Sequence, residues 1–205
     1  MPTINKGKWG NYHIKDDKRL FFYPNEWLRL MELCNEKQKL SFMILINTGA
    51  RINEARHLRP MDIQFARNNL TLVKTKVRSK LKEKRPTPRT IPVSSQFTKF
   101  LRKVQKQYKL KDDDYYPMLK NQALCVAIKQ LAKAIGRHDW KDFSVHNVRK
   151  THENYLLAIG VDGFKVARAL GHSAQTALSS YVSPDIFNNS DRMLIGRILG
   201  DVYMR

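Results

Sequence analysis

In the C-terminal half of the chain, four side chains have types and spacing that suit a phosphodiester. His146 and Arg149 stand three residues apart just after Ser144, a good helix N-cap, so they share one face of the helix that follows. His172 comes 23 residues after Arg149, in Leu170-Gly171-His172-Ser173, and Tyr181 nine residues later. An arginine offers a planar fork that grips a phosphate through two oxygens. An imidazole carries or lends a proton, and a phenol becomes a nucleophile once its own proton has gone. A second arginine, Arg51, lies in Thr48-Gly49-Ala50-Arg51-Ile52-Asn53-Glu54, between one apolar helix and the next.

Local devices must position these groups. Val145, Val148, Tyr155 and Ile159 mark an apolar stripe beside the His146–Arg149 face, directed at a core. Gly171 sits where a C-cap glycine belongs, so the chain turns sharply and presents His172 at a corner. A helical segment over 174–182 then carries Tyr181. Upstream, Pro24 opens a helix through Cys34, Leu40–Ile46 is a buried helix, and the helix beginning at Arg51 runs to near Pro60. Asn69–Val73 alternates as a strand and Thr90–Val93 is its return, with a basic, proline-containing loop between them. Helices follow from Ser94 or Ser95 to Leu110, over 121–135, 145–159 and 162–170, and around 191–199. The expected fold is mainly α with a small antiparallel β-sheet or hairpin, an α+β chain. The expected organisation is a basic N-terminal arm at 1–23, a catalytic domain at 24–183 and a helical tail at 184–205.

At 205 residues with 42% apolar content, the chain suits one domain with a full core. No apolar run approaches the ~20 residues of a membrane span, and the basic N-terminal stretch lacks the apolar core of a secretory signal. Cys34 and Cys125 are too few for a disulfide frame or zinc knuckle, which points to a reducing, cytoplasmic setting. Thirty-eight basic residues against 18 acidic ones give a net charge of +20 and a pI near 10.1. The excess is uneven: Ala66 to Lys111 holds fifteen Lys or Arg and one acid, Glu83. A polyanion is the expected partner, double-stranded DNA first. Charge alone would equally suit a structural nucleic-acid binder.

Together these residues resemble the tyrosine recombinases, the phage integrase family. The segment from Thr48 to Glu54 looks like that family's first box. His146-Asn147-Val148-Arg149, Leu170-Gly171-His172 and Tyr181 look like its second, in order and with matching gaps. The resemblance covers roughly Pro24 to Val182 and implies DNA strand cleavage and rejoining through a 3′-phosphotyrosyl intermediate, without ATP or metal. It implies Arg51 and Arg149 as the phosphate clamp, Tyr181 as nucleophile, His146 as general base, His172 as a phosphate hydrogen-bond partner and Glu54 as an orienting group. A hairpin lysine protonates the leaving 5′-oxygen in that family; Lys76 is the choice here, with Lys74 and Lys80 as rivals. Lys74, Arg78, Lys80, Lys82, Lys84, Arg85 and Arg89 are the expected DNA-binding residues. Two departures stand out: the hairpin is long and glycine-free, and only about 23 residues precede the catalytic region. Three other readings stay open: a type IB topoisomerase, a non-catalytic DNA-binding module and a metal-dependent nuclease.

Plainer readings apply residue by residue. Tyr181 shares a stripe with Ala174, Ala177 and Leu178, as a core residue would, and Arg149 could simply pair with Glu153. His152 lies on the apolar stripe and is expected to be packed; His13, His57 and His138 receive no role. Asp112–Asp114 reads as a solvated turn, and no metal site is expected. Leu194, Ile195, Ile198 and Val202 form one face of the tail, suited to this chain's own domain or to a neighbouring protomer in a dimer or tetramer on DNA.

Overall fold

The structure is a computed structural model. It describes residues 20–73, 88–171 and 186–202, and two strands near the N-terminus, β1 (Ile4–Gly7) and β2 (Gly10–His13). β1 and β2 pair antiparallel with Ile4 opposite His13, where the sequence suggested an aperiodic arm. Phe21 and Phe22, within the expected arm, are core residues.

The centre of the fold is α2 (Glu36–Thr48) packed on α6 (Val145–Ala158). Asn35 and Gln38 cap α2 reciprocally, each side chain accepting from the other's backbone N–H at 3.0 Å. From Leu40 to Thr48 nearly every residue is buried, so α2 shows little amphipathicity and behaves as a central helix. Each fully buried Phe or Ile there contributes roughly 1.5–3 kcal/mol relative to exposure. Ser144 starts α6, with its N–H and hydroxyl both donating to Asn147 Oδ1 at 2.6 and 2.8 Å. Val145, Val148 and Tyr155 face the core as their spacing predicts.

The chain leading into α1 (Pro24–Leu33) is fastened to α6 at three points. Asn147 Nδ2 donates to the Leu20 carbonyl at 2.8 Å, the Phe22 N–H to Thr151 Oγ1 at 3.1 Å, and the Tyr155 hydroxyl to the Phe22 carbonyl at 3.0 Å. Arg137 ties the approach to α6 down as well, reaching Glu26 at 3.1 Å and Asp139 at 2.7 Å.

α3 (Ile52–Ala55) is one turn long, not the longer helix expected. Arg59 precedes Pro60 and is held extended, at φ −126° and ψ 158°, which an α-helix excludes. The sheet has the order β3 (Ile63–Gln64), β4 (Asn69–Leu72), β5 (Arg89–Pro92), all antiparallel. β4 and β5 are the two expected strands, with Leu70 opposite Ile91 and Leu72 opposite Arg89; β3 was not foreseen. α4 (Ser95–Gln107) is capped by Ser94, whose hydroxyl accepts from Phe97 N at 3.1 Å. α5 (Asn121–Ala134), α7 (Gly163–Leu170) and α8 (Asn189–Leu199) complete the described helices.

α8 lies against α1 of its own chain, burying Ile195 and Leu199, with Val202 buried just beyond it. Phe187, just before it, packs among the rings of Phe21, Tyr23 and Tyr155. Past its end, Asp201 Oδ1 accepts from the first N–H of α4, Ser95 N, at 2.8 Å.

Candidate active site

Gly49 ends α2 in the left-handed conformation, φ 57°, and its N–H donates to the Leu45 carbonyl. A β-carbon here would run into the His152 ring and the Leu170 side chain, so α2 can turn this close to α6 and α7 only on glycine. Two residues on, Arg51 opens α3. Its backbone N–H donates to Glu54 Oε2 at 2.9 Å and its Nη1 lies 3.1 Å from Oε1. The Arg51 side chain remains 33% exposed, whereas that of Glu54 is only 1% exposed. The Arg51 side chain thus stays partly accessible while its carboxylate partner is enclosed.

Arg149 comes from α6, nearly a hundred residues later, and arrives at the same turn. Its Nη1 donates to the Gly49 carbonyl at 2.8 Å and its Nη2 to the Leu170 carbonyl at 2.6 Å. It is buried; desolvation first, then the like charges of Arg51 and Arg89, push it down to about 10, which still leaves it cationic at neutral pH. The hydrogen bond to Leu170 reaches the residue just before Gly171, which adopts the expected left-handed C-cap with φ 68°. One side chain thus joins the turn that presents Arg51 to the corner that leads to His172.

Arg89, at the start of β5, also meets Glu54. Its Nη1 and Nη2 donate to Oε1 and Oε2 at 3.0 and 2.6 Å, and its Nε donates to the Ala169 carbonyl at 2.9 Å. Burial pushes the Glu54 carboxyl up, but hydrogen bonds from Arg89 and Arg51 outweigh it and hold the group below the ordinary carboxylate value. Three guanidiniums gather around Glu54, with the Glu153 carboxylate also acting on Arg149, which leaves positive charge in excess, suited to an anion such as a phosphodiester. The sequence reading placed Arg89 among the DNA contacts and missed this arrangement. The signal was there: in a strand, Arg89 shares the face of buried Ile91.

His146 is exposed in the first turn of α6, one turn before the buried Arg149. His152 is packed, with Nδ1 2.6 Å from the Ile46 carbonyl; burial is the main cause that pushes it down to about 4, so it is neutral. Glu153 is buried in the same helix. The hairpin residues Lys74, Lys76, Arg78, Lys80, Lys82, Lys84 and Arg85 lie outside the described residues, as do His172, Tyr181 and the helix expected over 174–182.

A family model, the phage integrase family, matches residues 21–186. The chain belongs to the phage integrase family. Transposase A from transposon Tn554 of Staphylococcus aureus is 26% identical over 201 residues, a match covering 89% of this chain and 55% of that protein. The chain thus spans about half the length of the curated relatives it matches. Among solved structures, the Tn1549 transposon integrase in complex with transposon right end DNA superposes with a TM-score of 0.64 at 18% identity. That match covers 88% of this chain and 66% of the other. XerA recombinase gives 0.59 at 19% identity, over 86% of this chain and 64% of its own. XerH recombinase bound to difH substrate gives 0.57 at 21%, over 77% and 47%. At these identities the likeness is one of fold, the mainly α fold with a small antiparallel sheet expected from the sequence. All of the clustered residues, Arg51, Glu54, Arg89 and Arg149, fall within the phage integrase match, and so do Phe21 and Phe22 of the expected arm.

Proposed function

We propose that this chain is the catalytic part of a site-specific DNA recombinase that cuts and rejoins strands through a covalent tyrosyl intermediate. The observation that carries it is the meeting of Arg51 and Arg149 at the Gly49 turn, with Arg149 also holding the carbonyl of Leu170. In this reading both guanidiniums grip the non-bridging oxygens of one DNA phosphate and neutralise the charge that grows on them. Tyr181 supplies the phenolic oxygen and passes its proton to His146. A tyrosine–phosphorus bond forms as the bond to the 5′-oxygen breaks, and Lys76 (or Lys74 or Lys80) gives that oxygen its proton. His172 hydrogen-bonds the phosphate. Reversal by a 5′-hydroxyl restores the diester, so no nucleotide need be consumed.

The net charge of +20 and the basic run from Lys74 to Arg85 support double-stranded DNA as the partner, and the Tn1549 integrase structure is of a DNA complex. Self-association on DNA belongs to the same proposal. It would move α8 from α1 of its own chain to a second protomer, re-covering Ile195, Leu199 and Val202 there.

A duplex nicked near the cleavage site tests the reading, because loss of the short product strand traps the intermediate. The intact protein is expected to form a covalent adduct in EDTA without ATP. The Tyr181→Phe variant should bind the duplex equally and form none; an adduct in that variant moves the nucleophile elsewhere.

A further inference from the structure

Among the described residues, Arg89 is the cluster guanidinium whose three nitrogens all have a partner within the protein. Both terminal nitrogens take the two oxygens of Glu54, and Nε takes the Ala169 carbonyl. Its side chain is 14% exposed against 33% for Arg51. A phosphate approaching Arg89 would have to displace a carboxylate already held in the fork geometry that a phosphate would want. The residue reads as a brace, and what it braces is specific. Through Glu54 it holds the carboxylate that receives both the backbone N–H and Nη1 of Arg51. Through Ala169 it holds the last turn of α7, and a β-carbon built on Gly171 would stand 3.4 Å from its Nη1. A buried ion pair returns little net stability over an apolar pair of the same shape, so stability alone gives little reason for it.

We propose that Arg89 is a positioning residue for the phosphate site, fixing the Arg51 guanidinium through Glu54 and the Leu170–Gly171 corner through Ala169, so that both keep one spacing. This rests on the reading that Arg51 and the corner bind a DNA phosphate. A lysine at 89 keeps the charge but can neither grip both carboxylate oxygens nor reach Ala169 at the same time.

The test uses the full chain carrying Arg89→Lys, Arg51→Lys, or both, with thermal unfolding to confirm that each folds. The first readout needs no activity: the Glu54 side-chain carboxyl carbon is followed by NMR against pH, together with the Arg51 Nε–H resonance. Arg89→Lys should raise the pH at which Glu54 titrates and shift the Arg51 resonance; if both stay at their wild-type positions, the brace is refuted. The second readout is single-turnover cleavage of nicked DNA. It should fall about 10²-fold in Arg89→Lys, the scale of a small misplacement of reacting groups. The double variant should be little worse than Arg51→Lys alone, while the slope of log K against log salt stays unchanged. Multiplying rate losses, or a slope shallower by about one, would make Arg89 an independent phosphate contact and overturn the proposal. If the unmutated protein forms no adduct, the functional reading fails instead, and the NMR readout alone decides the brace.

Discussion

The guanidinium of Arg149 donates to the Gly49 and Leu170 carbonyls, so two backbone turns fix its place. Arg149→Lys can keep at most one of these bonds well aligned and loses the fork. Cleavage should fall by about 10²–10³. Stability should drop by about 1–3 kcal/mol from the carbonyl left without a donor. Near-normal cleavage would contradict a clamp. His152 gives a second prediction. Unfolded, this ring takes up a proton near pH 6.5, whereas in the fold burial delays that to about 4. Across that window the unfolded state binds more protons, so stability should fall as pH drops from 6.5 towards 4. An NMR titration of His152 with a midpoint near 6.5 would contradict its burial. The type and order of Arg51, Glu54 and Arg149 were legible in the sequence because box-like spacing survives without coordinates. The inward fork of Arg89 was obscured by the basic run around it, although its phase with Ile91 was visible.

At the scale of elements, capping chemistry was the most readable feature. Ser94, Ser144 and the left-handed Gly49 and Gly171 all end or begin helices where the sequence placed them. α3 was overestimated because the restriction that Pro60 places on Arg59 outweighed its helical pattern, and β3 is two residues long, too short to show alternation. The tail's docking surface was not readable, since an apolar stripe does not name what it meets. In the fold it meets α1, and Asp201 adds a tertiary cap to α4. Asp201→Ala should cost about 0.5–1 kcal/mol in denaturant unfolding, through a lost charge-assisted bond at a helix N-terminus. An unchanged midpoint would mean that this side-chain bond adds nothing to the hold on the tail.

For the whole molecule, the proposed account joins the charge of +20 to the gathering of distant arginines: in it the surface would collect DNA and the cluster would hold one phosphate of it. If the basic stretch touches about six phosphates, log K should fall against log salt with a slope near −5, and a flat response would assign the charge another role. The central claim is that a phenolic oxygen is delivered to a phosphorus held between Arg51 and Arg149. Its most direct test is digestion of the trapped protein–DNA adduct and mass spectrometry of the peptide that carries the nucleotide. The account predicts a phosphotyrosyl bond to a DNA 3′ end on the peptide containing Tyr181. A nucleotide on any other residue, or DNA cleavage with no protein attached, would contradict it.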